Sequence, residues 1–394
     1  MNHIRNPFVP GAGTIPPELS GRSELLSAAD TALQRIQIGR AAKSFIAVGL
    51  RGVGKTVVLN RVRQMAELHG YLTIFVEAHE QKPLPDLLLP ELRRLLLHLD
   101  ALDRLNEVVK RSLRVMKSFM KGITFKYADV EIGLDIDPEV GAADSGDLEA
   151  DFPELMLAVG RAAQARTKSV AMIIDEIQYL PEREMSALIM AMHRIAQHGL
   201  PVLLVAAGLP QVVGLSGQSK SYAERQFDFP IVDALDYPDV VRALNVPAQA
   251  EGAAFTPEAM QTIYATTKGY PYFLQEWGYH AWNAAPESPI TATDVENAYP
   301  LVLAKLDESF FRVRFDRLTP SEKTYLRAMA ELGPGPYRSG DVAAKLGRKS
   351  PSFGPVRNKL IAKGMIYSPQ HGDIAFTVPL FDAFLRRVMP AFIA

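Results

Sequence analysis

The segment from residue 49 to residue 56, GLRGVGKT, has residue types and a spacing that suit phosphate binding. It follows the pattern G-x-x-x-x-G-K-T, with an apolar strand pattern before it and a helical pattern after it. Glycines let the main chain turn its N–H groups toward phosphate oxygens, and the start of the next helix adds a partial positive charge. We expect Lys55 to reach the β- and γ-phosphates and the Thr56 hydroxyl to bind Mg²⁺. The predicted nucleotide contacts in this segment are Gly49, Arg51, Gly52, Val53, Gly54, Lys55, Thr56 and Val57.

A second candidate element is the apolar run 170–174, which ends in the carboxylates Asp175 and Glu176. Open α/β sheets bind ligands at the C-terminal ends of their strands. We therefore predict that Asp175 joins Thr56 around Mg²⁺ and that Glu176 polarises an attacking water. The sequence contains no guanine-specific N-K-x-D element, so ATP or ADP is favoured over guanine nucleotides.

Alternating strand and helix patterns must position these groups. Strands are predicted at 44–49, 71–77, 169–174 and 201–207. Helices are predicted at 22–38, 55–69, 85–118, 152–165 and 182–198, and again throughout 235–305. Strands separated by helices are typical of a parallel sheet with crossover connections, so the predicted fold class is α/β, of the P-loop NTPase type.

Two segments interrupt this rhythm. The first twenty residues are rich in proline and glycine but too apolar for a free tail, so we expect them to lie along the first domain. Residues 122–137 alternate like a hairpin, and residues 135–151 contain seven acids without Lys or Arg. This composition predicts an exposed insertion at about 119–151.

Composition narrows the functional classes. The 394 residues contain no cysteine, which excludes disulfides, thiol nucleophiles, iron–sulfur clusters and cysteine-ligated zinc. The longest apolar stretch, 200–210, is about half the ~20 residues that a membrane-spanning helix needs, and the N-terminus has no apolar signal core. A soluble, cytoplasmic protein without a membrane partner is therefore expected. The net charge of −1 hides a basic C-terminal part, with 11 Lys and Arg against 5 Asp and Glu from residue 318 onward.

The C-terminal part, 318–394, is predicted to form three helices and a hairpin, an order that resembles a winged helix-turn-helix. In DNA-binding examples the second helix of the motif enters the major groove. The cations expected to touch DNA phosphates lie on that helix or in the turn before it: Arg348, Lys349, Arg357, Lys359 and Lys363. The alternative is that the unit packs only against the motor or a protein partner, and the absence of a basic residue in the wing tip, 370–373, favours that alternative.

The two nucleotide motifs and the order of elements resemble the AAA+/STAND class of P-loop ATPases. The similarity is to the archaeal and bacterial branch related to replication-initiator, origin-recognition-like proteins, over roughly residues 6–390. It implies a parallel RecA/AAA+-like sheet, a helical lid domain and a C-terminal winged helix-turn-helix.

The resemblance also implies roles for residues outside the loop. Arg22, in LSGRSEL, would lie beside adenine and ribose, and Pro271, in the segment 269–271, would contact nucleotide. Arg225 would be a phosphate-sensing or finger arginine, acting in its own subunit or in a neighbouring one; it also fits a surface salt bridge. The strand end 206–208, AAG, lacks the polar side chain that the family places near the γ-phosphate, which implies slow hydrolysis.

We therefore predict four parts: an N-terminal segment near the nucleotide (1–21), a P-loop ATPase domain (22–234), a helical lid (235–317) and a winged helix (318–394). The predicted function is a switch that binds Mg-ATP and hydrolyses it slowly, with a winged helix that binds double-stranded DNA. The alternatives are a STAND-type signalling or scaffold protein, in which the winged helix contacts a protein partner or another copy of the chain, and a nucleotide binder without turnover.

Overall fold

The computed structural model describes residues 1–11, 13–102, 106–122, 137–220, 223–333, 335–370 and 372–392. A five-stranded parallel sheet forms its centre, in the order β2-β3-β4-β1-β5. The strands are β1 (Ser44–Val48), β2 (Leu72–Glu77), β3 (Val170–Asp175), β4 (Val202–Gly208) and β5 (Phe227–Asp228). The predicted α/β class with a parallel sheet is confirmed.

Helices cover both faces of this sheet. They are α1 (Ser23–Gln37), α2 (Lys55–Leu68), α3 (Leu84–Leu102), α4 (Glu107–Gly122), α5 (Leu148–Ala165), α6 (Glu182–Gln197), α7 (Gln211–Ser219) and α8 (Ala223–Gln226). Successive strand residues point to opposite faces. In β3, Ile173 packs on the side of α1 and α2, whereas Ile174 packs on the side of α3 to α6. Both faces are buried, which explains why the strands read as continuous apolar runs.

The described part of the acidic segment before α5, residues 137–147, is mostly exposed, as its composition predicts, and several of its acids form local contacts. Glu139 accepts hydrogen bonds from Arg111 (3.0 Å) and Arg114 (2.9 Å) of α4. Asp151 is buried and accepts a hydrogen bond from the N–H of Gly146 over 2.8 Å. The acids therefore serve local pairing and capping, which composition alone does not reveal. The hairpin predicted at 122–137 lies almost entirely outside the described residues.

The helical region, residues 235–317, follows the sheet. Its helices are α9 (Tyr237–Ala250), α10 (Pro257–Thr267), α11 (Pro271–Ala284), α12 (Ala292–Lys305) and α13 (Arg312–Phe315). The N-terminal segment packs mainly on this region and not along the first domain as predicted. Phe8 is buried against Gly278 of α11. The contact with the first domain comes later, where the Asn60 side chain of α2 donates to the carbonyl of Gly13 over 3.3 Å.

The C-terminal unit, residues 318–392, contains more elements than predicted. It has the helices α14 (Pro320–Glu331), α15 (Ser339–Lys345), α16 (Gly354–Ala362) and α17 (Phe381–Val388). Its strands β6 (Tyr337–Arg338), β7 (Ile366–Tyr367) and β8 (Asp373–Phe376) form an antiparallel sheet in the order β6-β8-β7. Strand β6 and helix α17 were not predicted. The rings of Phe311 and Phe384 stack at 5.2 Å, so this unit shares a hydrophobic core with the helical region.

None of the helices within the described residues is both long enough and apolar enough to cross a membrane.

Candidate nucleotide site

The glycine loop lies between the end of β1 and the start of α2, as predicted. Gly52 and Gly54 have φ angles of 80° and 91°, which glycine adopts without steric cost. Lys55 opens α2, and its Nζ donates to the carbonyls of Gly49 (3.0 Å) and Leu50 (2.8 Å). Burial lowers the pKa of Lys55 to about 8, and the nearby carboxylates of Glu176 and Asp175 oppose that shift. A buried ammonium whose hydrogen-bond partners are main-chain carbonyls is suited to receive an anion.

Thr56 and Asp175 meet, although 119 residues separate them in the chain. The Thr56 hydroxyl donates to Oδ2 of Asp175 over 2.6 Å. Burial raises the pKa of Asp175. A hydroxyl beside one buried carboxylate fits Mg²⁺, which takes few protein ligands and completes its shell with phosphate oxygens and waters. No group of three or more potential metal-ligating His, Asp or Glu side chains occurs among the residues that the structure describes.

Glu176 follows Asp175 in a left-handed main-chain conformation with φ of 51°. Its Oε1 lies 3.5 Å from Nη1 of Arg51, and its Oε2 accepts a hydrogen bond from the Gln178 side chain. Gln178 also accepts from the N–H of Leu209 over 3.0 Å, directly after β4. The sequence analysis missed Gln178. The end of β4 carries only Gly208 there, and the Gln178 amide fills the space beside it: a Cβ at Gly208 would lie 2.9 Å from the amide oxygen. Gln178 therefore supplies the polar side chain that the strand end lacks.

Arg314 is a second residue that the sequence analysis missed. Its guanidinium lies over the ring of Phe310, 4.3 Å from the centroid, and donates to the Phe310 carbonyl. Burial and the positive charge of Arg51 lower the pKa of Arg314 to about 10, and the charge of Glu176 opposes the shift. It belongs to α13, more than 250 residues after the loop, and no local pattern distinguishes it from other helical arginines.

Arg22 and Pro271, which the sequence predicts to contact the nucleotide, both lie next to the glycine loop. Arg22 is buried and donates to the carbonyls of Val53 (3.1 Å) and Asp233. Pro271 is the first residue of α11, and the next residue, Tyr272, donates its N–H to the Gly52 carbonyl over 3.1 Å. The helical region thus touches the loop through the start of α11.

Arg225 does not lie at this site in its own chain. It belongs to α8, directly before β5, and therefore lies at the amino-terminal edge of the parallel sheet, whereas the glycine loop lies at the carboxyl edge. Arg225 lines a cavity of about 930 Å³ there, together with Ser44 and Ser169, which begin or precede strands. The prediction of a role in its own subunit is wrong. A role in a neighbouring subunit stays a prediction.

The five cations predicted to contact DNA do not share one environment. Arg348, Lys349 and Lys359 are exposed. Lys363 instead donates to buried Glu322 over 2.7 Å and to the Arg317 carbonyl over 3.0 Å. Arg357 is half-buried, and its Nε has no hydrogen-bond partner within the described residues. Lys363 is therefore engaged inside the protein, contrary to the prediction, because the capping glutamate of α14 faces it.

The arrangement of loop, carboxylates and sheet is the AAA+ P-loop NTPase fold. A family model described as the AAA ATPase domain matches residues 18–205, and a model described as a domain of unknown function matches residues 308–385. No protein of curated function matches the sequence significantly.

Solved structures are similar to this chain at low sequence identity. The Walker-type ATPase of Pyrococcus abyssi is similar with a TM-score of 0.58 and 15% identity, over 93% of this chain and 96% of that one. Cdc6p of Pyrobaculum aerophilum gives a TM-score of 0.48 and 16% identity, over 96% and 97% of the two chains. The Aeropyrum pernix Orc1 protein, solved in complex with DNA, gives 0.47 and 16%, over 95% and 94%.

Proposed function

We propose that the protein binds ATP with Mg²⁺ and slowly hydrolyses its terminal phosphoanhydride bond. The observation that carries this proposal is the hydrogen bond of 2.6 Å between Thr56 and Asp175, next to buried Lys55. These three side chains come from the glycine loop and from the strand β3, and they converge at the edge where open sheets bind ligands. The AAA ATPase domain match covers both segments.

Each residue has a distinct part in the proposed reaction. Lys55 would hold the β- and γ-phosphates, while Thr56 and Asp175 would hold Mg²⁺, which neutralises charge on the phosphate oxygens when bound. Glu176 would accept a proton from water as the water oxygen attacks the γ-phosphorus. The bond between that phosphorus and the β–γ bridging oxygen breaks, and the oxygen leaves with the electron pair on ADP. Arg314 would stabilise the negative charge that develops.

The remaining nucleotide contacts predicted from the sequence are part of this proposal. They comprise the loop, the first turn of α2 and two flanking residues: Gly49, Arg51, Gly52, Val53, Gly54, Val57, Arg22 and Pro271. The first N–H groups of a helix have no partner within the helix and point toward its N-terminal side, where a phosphate would lie. Hydrolysis is proposed to be slow because β4 brings no polar side chain of its own to the γ-phosphate; Gln178 fills that space and holds Glu176.

The proposal is tested by comparing wild-type protein with Glu176→Gln in two assays. Calorimetry with Mg-ATP is expected to give similar affinities, since Glu176 is assigned to water and not to nucleotide. Phosphate release is expected to fall by about a hundredfold or more, the usual scale for loss of a general base. Equal rates near zero in both proteins would contradict hydrolysis and favour the nucleotide binder without turnover.

A second proposed activity is contact between the C-terminal unit and double-stranded DNA. It is supported by Arg348, Lys349 and Lys359, which are exposed and form no ion pair with any residue that the structure describes. Such cations give affinity that is independent of base sequence and falls with salt.

The DNA proposal is tested with a labelled duplex at several salt concentrations. The double variant Arg348→Ala with Lys349→Ala is expected to weaken binding and to lower the salt slope by about two. The matched control is Lys82→Ala with Lys121→Ala on the ATPase domain, which should bind like the wild type. Absence of binding, combined with an oligomer size that changes with nucleotide, would favour the STAND-type scaffold, in which the C-terminal unit contacts protein.

A further inference from the structure

The guanidinium of Arg51 is held by three residues from two separate parts of the chain. Its Nη1 lies 3.5 Å from Oε1 of Glu176, and its Nη2 donates to the Tyr179 hydroxyl over 2.8 Å. Its Nε donates over 3.3 Å to the carbonyl of Gly364, in the C-terminal unit. The Arg51 side chain is only 16% exposed. Because the N–H groups of a guanidinium have fixed directions, three partners define one orientation of the group.

Glu176 is correspondingly restrained. One carboxylate oxygen faces Arg51, and the other accepts from Gln178. A general base must aim an accepting oxygen at the water from which it takes the proton. Each oxygen keeps a second lone pair, but the two side-chain donors fix the direction in which the carboxylate faces. Glu176 can turn toward an attacking water only when this hold is loosened.

We propose that Arg51 is a positioning residue that keeps Glu176 from activating water while the C-terminal unit is docked on the glycine loop. When the unit moves away, Arg51 loses the carbonyl that orients it, and Glu176 becomes free to accept a proton. This inference rests on the proposed ATP hydrolysis and assigns its control to the C-terminal unit.

The C-terminal unit contacts the glycine loop through main-chain groups that lie just before β7 and just after β8. The N–H of Arg51 donates to the carbonyl of Thr377 over 3.0 Å. Thr377 is buried; its hydroxyl donates to the Gly364 carbonyl, and its N–H donates to the Met365 carbonyl over 3.0 Å. The two carbonyls that hold Arg51 are therefore linked to each other and would move together.

A substitution at Gly364 can disturb the contact between Arg51 and the C-terminal unit without changing a residue of the nucleotide site. A Cβ at this position would lie 2.8 Å from Nη2 of Arg51, closer than non-bonded atoms tolerate. Its φ is +62°, so Gly364→Ala also introduces main-chain strain. Gly347→Ala is the matched control. Gly347 lies in the same unit with φ of +65°, and a Cβ there would meet no atom within 4 Å.

The experiment measures kcat and KM for ATP, the melting temperature and hydrogen exchange of the Arg51 amide. Gly364→Ala is expected to raise kcat by about threefold to tenfold, the scale of one weakened hydrogen bond to a charged group. It should also speed exchange of the Arg51 amide relative to Gly347→Ala. Both variants should lose thermal stability through main-chain strain, Gly364→Ala the more because its Cβ also meets Arg51, and Gly347→Ala should keep the wild-type kcat.

Tyr179→Phe provides a second variant without main-chain strain. It removes only the hydroxyl that accepts from Nη2 of Arg51. We expect kcat to rise by about twofold to fivefold while KM for ATP and the melting temperature stay at wild-type values. A merely structural role of Tyr179 would change the melting temperature and leave kcat unaltered.

The outcomes separate this inference from the proposed function. If the wild type hydrolyses ATP, Glu176→Gln abolishes turnover, and neither Gly364→Ala nor Tyr179→Phe raises kcat, the inference is wrong and the proposed function stands. If wild type and both variants all fail to hydrolyse ATP, both are wrong. An inactive wild type with an active Gly364→Ala would support both, because the docked unit would then block turnover completely.

Discussion

The two edges of the central sheet both carry charged side chains, but the carboxyl edge buries them together, whereas the ion pair of Lys43 with Asp228 at the amino edge is exposed. At the carboxyl edge, Thr56 and Asp175 meet at 2.6 Å beside buried Lys55. At the amino edge, the cavity of about 930 Å³ is lined by basic residues such as Lys168 and Arg225, and its lining contains no Asp or Glu. Cations at that edge lie near the C-terminal ends of α1, α5 and α6, where they balance the helix dipoles. A functional site is therefore indicated by convergent contacts more than by cavity volume or charge.

The largest effect should come from removing one lysine at each edge. Lys55→Ala is expected to weaken Mg-ATP binding by two to three powers of ten, about 3–4 kcal/mol, because a buried charge-assisted phosphate contact is lost. Lys168→Ala, the same change at the amino edge, should alter binding by less than about twofold. Isothermal calorimetry measures both, and equal losses in the two variants would remove the distinction between the edges.

Asp175→Asn should produce the next largest effect. The amide removes the charge beside Thr56, so the gain in nucleotide affinity on adding Mg²⁺ is expected to fall by about tenfold to a hundredfold. Glu77→Gln is the control, because Glu77 is the register partner of Asp175 at the end of β2. A magnesium titration at fixed ATP compares the variants. If Asp175→Asn responds to Mg²⁺ like the wild type, Asp175 does not hold the metal.

The pH dependence of binding sharpens the assignment of Lys55. Its pKa is lowered to about 8, chiefly by burial, so the free protein loses this charge above pH 8. Bound phosphate would restore the charge, and binding must then take up a proton. ATP affinity is expected to stay level from about pH 6 to 7 and to fall by up to tenfold per unit above pH 8.

Calorimetry in buffers of different ionisation enthalpy measures that proton uptake. Lys55→Arg is the control, since an arginine stays charged across this range and its variant should show little pH dependence. Absence of proton uptake at pH 9 in the wild type would contradict the assignment.

The smallest effect is expected for Arg225→Ala. Because Arg225 lies at the amino edge, ATP binding by a single chain should change by less than about twofold. Arg40→Ala, in the same cavity, is the control. Hydrolysis measured over a range of protein concentration tests the neighbouring-subunit role. A loss of rate in Arg225→Ala that appears only where chains associate would support that role, and a loss at all concentrations would contradict its position.

The sequence predicted the parts of the site that depend on local pattern. The loop, the strand β3 and its two carboxylates are contiguous, and their residue types are required by the chemistry. The amino-edge position of Arg225 could also have been found, because a residue that directly precedes a parallel strand must lie at that edge.

Other parts of the site have no local pattern. Gln178 is held beside Glu176 only after β4 has packed, and Arg314 comes near the site only after the helical region has packed. Gly364 and Thr377 contribute main-chain carbonyls, which every residue possesses, so residue type cannot reveal them. Lys363 shows the opposite difficulty, in which the residue type is noticed but its partner is not. A lysine can pair with a DNA phosphate or with a buried glutamate, and here it pairs with Glu322.

The stack of Phe311 on Phe384 has a consequence for dissecting this molecule into fragments. A shortened chain that stops before α14 would expose Phe311 and Phe315 to water as an unpaired hydrophobic surface. Such a fragment should aggregate, and its ATP turnover would report on damage instead of release. The helical region and the C-terminal unit should therefore move together, and that movement would break the contacts of the glycine loop at both Arg51 and Gly52.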